Sequence, residues 1–451
     1  MTDDTPTIAH QLASWALAVA PAEVPERQRE LAALRVIDTI GLIFAGFQTP
    51  AAAAMYDMVA TQGGRDESTL IGATQRVPAT SAALAHGTFA HCRDFDDTFP
   101  DSVVHPGSVV VPVALAVGEA REASLDEVLA AIVVGYEISA RLGAAAGRAF
   151  HAHGFHASAV IGPLAAAATA ARFLGLDADH LASAFGLAGS MSGGLLEFAT
   201  EGTWSKWLHT GWAAQGGITA ANLAGRGFRG PGTVIEGKYG LYRSFLGHDA
   251  PALDGITAGL GETWHGEGAH FKYYPCAHVI QPYIDAALHL KSAHAIEAGA
   301  VTAVTCHIAD WAVPIVCEPR APKILPSNEM EAIASLPYQV AAALTDGAVG
   351  LHTISLRALE RQEVRALAAR VEHRVDPTLG HAFDGAIEIT LADGATHVAS
   401  ATTAPQNRDK VIAKFRANAG AALPPENLAQ IETVAEIGGD LDLAGLLDCV
   451  R

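Results

Sequence analysis

ASAVIGPLAAAATAARFLGL, residues 157–176, is the stretch on which the fold turns. It is the most apolar window of the chain, yet its bulk is alanine, Arg172 sits inside it, and Gly175, Leu176 and Asp177 follow as a turn. A membrane span needs about 20 predominantly apolar residues and tolerates charge poorly. Alanine is the strongest helix former and lets neighbouring helices approach closely. The window therefore reads as a buried core helix. Outward from it the same Ala/Leu texture recurs in segments 8–20, 26–46, 51–61, 78–93, 106–120, 125–145, 178–190 and 206–226, separated by turn residues, which predicts one large helical domain.

The texture changes after Trp264. AVTAVTCHIADWAVPIV (300–316) is rich in Val and Thr with partial alternation, and GAIEITLADGATHVASATT (385–403) reads as two strands around the turn at 392–394. Between them, NEMEAIASLPYQVAAALTDG (328–347) and RQEVRALAARV (361–371) are helical in period. The expected class is mainly α: a large all-helical domain, 1–266, completed by C-terminal helices in 403–451, plus a smaller α+β domain at 267–402. A chain of 451 residues also exceeds what one core usually serves.

A composition that is 50% hydrophobic, 17% charged and 6% aromatic fits closely packed helices. The formal net charge of -19 repels phosphate backbones and anionic lipid, so neither nucleic acid nor a membrane is an expected partner, and an anionic substrate needs local cations. Five scattered cysteines (Cys92, Cys276, Cys306, Cys317, Cys449) make no C-x-x-C pair, which predicts no disulfide framework or metal cradle and a reducing, cytoplasmic setting. The opening MTDDTPTIAHQL lacks the basic flank and apolar run of a secretory signal.

Five segments put ionisable groups beside glycine or proline in this apolar background. DFDDTFPDSVVHPGS (94–108) reads as the end of the helix from Pro78, with Asp94, Asp97 and Thr98 on one turn and His105 beyond. Carboxylates there oppose the helix dipole, so they are either solvated or aimed into a cleft as acid and base groups. Asp96, Asp97 and Asp101 read as setting the loop or facing water. In HAHGFHASA (151–159), His151, His153 and His156 lack helical metal spacing and a nearby acidic ligand. His156 is instead expected just ahead of a helix start, where free N–H groups favour an anion and an imidazole can carry a proton.

EGTWSKWLHTGWAAQGG (201–217) places Lys206 and His209 on the first turns of a helix, either as a carboxylate grip or as a solvated rim. HFKYYPCAHVIQP (270–282) offers Lys272 and His278 around Pro275, donors suited to a carboxylate, with Tyr273 and Tyr274 as linker anchors in the alternative reading. Tyr338 in SLPYQVAAAL opens a helix, a place where tyrosine usually packs. No strand leads into G-x-G-x-x-G, and G-x-x-x-x-G-K-[ST], G-x-S-x-G and H-E-x-x-H are missing, which removes the main support for nucleotide, serine-hydrolase and zincin readings.

In order, DFDDT, HPGSVVVPVALAVGE, GYEISARLG, GFHASAVIGPLAAAATAA, GTWSKWLHTGWAAQGGITAANLAGRGFRGP, IEGKYGLYRSF, KYYPCAHVIQPYIDAAL and LPYQVAAAL resemble the MmgE/PrpD family over nearly the whole chain. That family includes 2-methylcitrate dehydratase, cis-aconitate decarboxylase and iminodisuccinate epimerase. The resemblance implies a helical domain with an α+β lid, a homodimer, and a lyase or isomerase with no metal or organic cofactor. Its substrate would be a small di- or tricarboxylate, deprotonated or protonated next to a carboxylate. Implied catalytic residues are Asp94, His105, His156, Lys206 and Tyr338; Thr98, Lys272 and His278 would bind substrate, to which the reading of the residues adds His209.

The leading expectation is a 2-methylcitrate dehydratase-like hydro-lyase, with cis-aconitate decarboxylase-like and iminodisuccinate epimerase-like enzymes as alternatives. Asp96 and Gly107 depart from the DFNDT and HPSDN of the longer dehydratases. Rivals of other kinds are a metal-dependent hydrolase using His151, His153 and the aspartates, and a non-catalytic carboxylate-binding protein.

Overall fold

Ala157–Leu174 is a helix, buried continuously from Ala157 to Ala171 and closed by Gly175 in the left-handed conformation. It and Leu125–Ala146 are long and apolar enough to cross a membrane, but most of each is buried inside the protein. These helices belong to a computed structural model that describes residues 6–436 and 441–451. The first five residues of the acidic opening stretch, and 437–440 in the tail, lie outside the described residues.

The chain divides into two compact units. The first takes the chain up to Cys92, Asp96–Phe271 and Arg408–Arg451. Its long helices are Ile8–Ala18, Glu26–Gly46, Pro50–Gln62, Ala79–His91, Gly107–Ala120, Leu125–Ala146, Ala157–Leu174, Ala178–Ser190 and Ser205–Ala224, joined by Arg408–Ala419 and Pro425–Glu432. Starts are chemically marked: Thr7, Thr49 and Asp177 cap their helices, and Ser124 forms a capping box with Glu127. Ser205–Ala224 packs on both Ala157–Leu174 and Ala79–His91. At the second crossing the backbones nearly touch, since a Cβ on Gly211 would sit 2.2 Å from the Leu84 carbonyl oxygen. Small residues make that approach possible, and it sets where the helix carries Lys206 and His209.

One expectation needs correcting here. The helix expected over 78–93 ends at His91, with Cys92 as its cap. Asp94 then takes φ +47°, and Thr98 leaves to bridge His270 in antiparallel fashion, so Asp94, Asp97 and Thr98 share no helical turn. Aspartates prefer local hydrogen bonding over helix continuation and oppose the dipole at a C-terminus.

The second unit comprises Arg93–Phe95 and Lys272–Asn407. Its sheet runs in the order Val371–Val375, Val301–Ile308, Gly385–Leu391, Thr396–Ala401, with the first pair parallel and the others antiparallel. The hairpin expected around 392–394 is present, with Gly394 at φ +88°. Gln281–His294 packs on the last two strands, and Ile284, Ala287, Val304, Cys306, Val340 and Ile387 share the core.

The expected strand at 300–316 stops at Ile308 and gives way to short helical turns. Val371–Val375 is a strand that the pattern does not announce: beyond Val371 its residues are half-buried or exposed, so it shows no apolar alternation. The 328–347 helix is broken in two by Ser335, whose hydroxyl accepts from the Tyr338 N–H.

Candidate active site

In the first unit four helix ends and one loop bring imidazoles together. His91 is the last residue of Ala79–His91, His105 lies just ahead of Gly107–Ala120, His156 caps Ala157–Leu174, and His209 stands on the first turns of Ser205–Ala224. Asp96 is the hub, with both the carboxylate and its partners buried. Its oxygens accept from His91 Nδ1 at 2.8 Å and from the Ser108 hydroxyl at 2.6 Å, and lie 3.2 Å from His105 Nδ1. Burial alone would raise this carboxyl, but His105 and His91 hold it well below the usual carboxylate range.

His105 is further fixed by Thr98 Oγ1, 3.3 Å from its Nδ1, and by its own N–H donating to Ser158 Oγ at 2.9 Å. His156 Nδ1 faces His209 Nδ1 at 3.1 Å, and the His156 ring stacks on His91 at 5.5 Å. Burial, with His91 and Lys206 next in importance, drives the His156 pKa well below its usual value. The same causes lower His209 to about 4.

Lys206 is itself buried and delivers positive charge to this cluster. Asp97 does something else. It accepts from the Gly107 N–H at 3.0 Å and the Tyr136 hydroxyl at 2.7 Å, pinning the loop that carries His105. Asp101 is exposed.

In the second unit Lys272 Nζ donates to Asp94 Oδ1 at 2.8 Å and to the Asp94 carbonyl at 2.6 Å, holding the aspartate in its left-handed conformation. The Gln281 side chain bonds the Tyr273 and Tyr274 N–H groups and the Tyr274 carbonyl, and so fixes the KYYPC turn that follows Lys272. His278 is buried against Phe383 at 4.9 Å. Tyr338 lies in the core of this unit, its hydroxyl donating to the Thr353 carbonyl at 2.8 Å.

Thr98, His105, His156, Lys206 and His209 are thus gathered in one unit. Asp94 and Lys272 pair in the other, where His278 and Tyr338 have neighbours of their own. The expectation that Asp96 faces water or merely shapes a loop is corrected, because it is the buried acceptor for two histidines. His91 is absent from the residues singled out by sequence. The available signal is its place five residues before Asp96 in HCRDFDD, visible only once the helix is known to stop at His91.

The three-histidine metal reading of 151–159 does not form: His153 is at the surface and pairs with Asp249 at 2.8 Å. Among the described residues, ligand atoms of His91, His105 and His156 lie within 4.8 Å of one another, a spacing a metal ion can use. The Lys206 charge acting on His156 opposes a cation there.

Buried histidines, an ionised carboxylate and a lysine, arranged on a mainly helical scaffold, are the equipment of an acid–base enzyme. Comparison with known sequences supplies the particular family. Residues 10–254 match the MmgE/PrpD N-terminal domain and residues 274–437 the MmgE/PrpD C-terminal domain, so the chain belongs to the MmgE/PrpD family. It is 30% identical to the cis-aconitate decarboxylase of Homo sapiens, over 91% of this chain and 88% of that protein. The Mus musculus cis-aconitate decarboxylase is 29% identical over 91% and 86%. The Aspergillus terreus enzyme of the same name is 25% identical over 98% and 96%.

Proposed function

We propose that this chain is a cis-aconitate decarboxylase-like lyase acting on a small tricarboxylate. The observation that carries the reading is the buried cluster of His105, His156 and Lys206 around ionised Asp96. In such a reaction one carboxylate leaves as carbon dioxide, the bonding pair passes into the conjugated alkene–carboxylate system, and a proton is added at its far carbon.

Lys206 neutralises substrate carboxylate charge and stabilises the developing carbanion electrostatically. His105 and His156 manage the proton, a role for which a ring driven towards neutrality is suited. Asp94 is enrolled with the proton-handling groups, and Thr98, His209, Lys272 and His278 as substrate ligands. The same groups serve dehydration, but Asp96 and Gly107 depart from the dehydratase motifs. The named relatives, all cis-aconitate decarboxylases, favour decarboxylation instead. The reading includes a homodimer and no metal or organic cofactor.

The test is incubation in D₂O with citrate, 2-methylcitrate, cis-aconitate and iminodisuccinate, each followed by proton NMR. Loss of cis-aconitate with carbon dioxide release and one carbon-bound deuterium in the product is the expected outcome. Consumption of 2-methylcitrate alone would restore the dehydratase. Deuterium exchange without net conversion would make the protein an epimerase, and thermal stabilisation without any chemistry a binder.

A further inference from the structure

Asp96 and His91 are given no chemical role above, yet they are the most completely buried ionisable pair in the cluster, at 1% and 0% exposure. An ionised carboxylate can only accept hydrogen bonds. The contacts of Asp96 with His91 Nδ1 and His105 Nδ1 therefore require a hydrogen on each of those nitrogens. Whenever either ring is neutral, its Nε2 then carries the lone pair.

His91 Nε2 makes no hydrogen bond and has no solvent, as does Nε2 of His156. Such an atom is destabilising unless something else meets it. The His91 ring lies near-parallel to His156, at 19°, and edge-on to His105, with centroids 4.8 Å apart. Arrangements of this kind, a carboxylate behind one imidazole nitrogen and an unmatched second nitrogen, are how enzymes fix a base in the working tautomer.

We propose that Asp96 is the positioning carboxylate of this cluster, holding both His91 and His105 as Nδ1–H tautomers, and that His91 is thereby a third imidazole presenting Nε2 as a proton acceptor. The part concerning turnover rests on the decarboxylase reading; the part concerning tautomers does not. Long-range ¹H–¹⁵N correlation spectra of histidine-labelled protein decide the latter, with His91→Gln and His105→Gln used to assign the two rings.

The wild type is expected to show both as Nδ1–H. Asp96→Asn, which replaces one acceptor by a donor, is expected to move at least one ring to the other tautomer. It should also lower kcat on cis-aconitate by about 10²- to 10⁴-fold with KM changed only a few-fold, and Asp96→Glu should recover part of the loss. A neutral His91 or His105 ring carrying its hydrogen on Nε2 in the wild type overturns the proposal even if Asp96→Asn fails to fold. It is equally overturned if the Asn variant keeps both tautomers and its kcat stays within threefold. Absence of turnover in the wild type would sink the decarboxylase reading and leave the spectra to decide the rest.

Discussion

Lys206 is a single positive charge buried among imidazoles, and that placement fixes what its removal does. Lys206→Met takes away the cation assigned to the developing carbanion and should lower kcat by about 10²- to 10³-fold. His156→Gln should lower it by about 10²- to 10⁴-fold. Asp94→Asn keeps a side chain that tolerates positive φ but gives up the ion pair with Lys272, and should impair turnover while the fold persists. Circular dichroism alongside product formation separates these outcomes from unfolding; near-normal turnover in any of the three would remove that residue from the mechanism. At this scale the sequence is most informative where a charged group stands next to glycine or proline in an apolar stretch. It is least so for Asp96, since a carboxylate in DFDD looks solvated until His91, His105 and Ser108 converge on it.

Between elements, the decisive contact is the crossing of Ala79–His91 and Ser205–Ala224. Gly211→Ala would drive a methyl into backbone and into Thr88 Oγ1, 2.3 Å away, so the helices must separate. A loss of about 1–3 kcal/mol is expected, with turnover falling because His91, Lys206 and His209 ride on these two helices. Gly299→Ala, where a methyl meets nothing within 4 Å, should leave both unchanged; equal melting temperatures for the two variants would rule out the close crossing.

A second tie is the buried pair Asp38–Lys414, 2.7 Å apart, linking Glu26–Gly46 to Arg408–Ala419. Burial raises Asp38 to about 6 and lowers Lys414 despite their mutual attraction, so desolvation outweighs the pairing. Removing either partner alone should destabilise by about 3–5 kcal/mol, whereas Asp38→Leu with Lys414→Met should recover most of it. Denaturant titration checks this: a double variant as weak as the singles would refute it. Helix existence is legible from apolar period and from caps such as Ser124 and Asp177. Val371–Val375 is not, because its place in the sheet comes from pairing with Val301–Ile308 and not from a pattern of its own.

For the molecule as a whole, buried histidines set the response to acid. His86 accepts a hydrogen bond from the Ile71 N–H at 2.9 Å, and burial lowers its pKa to about 3; His151 and His209 are lowered to about 4, again chiefly by burial. A histidine near 6.5 when unfolded takes up a proton that the folded protein refuses. Stability is therefore full above about pH 6.5 and is lost as pH falls towards 3 to 4, by about 1.4 kcal/mol per unit for a fully buried group such as His86. Asp38 has the opposite sign, but its shift is smaller than that of His86 and stands against several histidines. The melting temperature should fall between pH 7 and 5, and less steeply in His86→Gln; a flat profile would contradict this.

The first unit is also assembled from three separate stretches of chain, and the one that covers Glu26–Gly46 is Arg408–Ala419. During synthesis, then, the Glu26–Gly46 face that Arg408–Ala419 covers stays open, with Asp38 lacking its counter-ion, until that later segment has been made. Completion of this unit therefore waits on a segment translated long after the helix it covers.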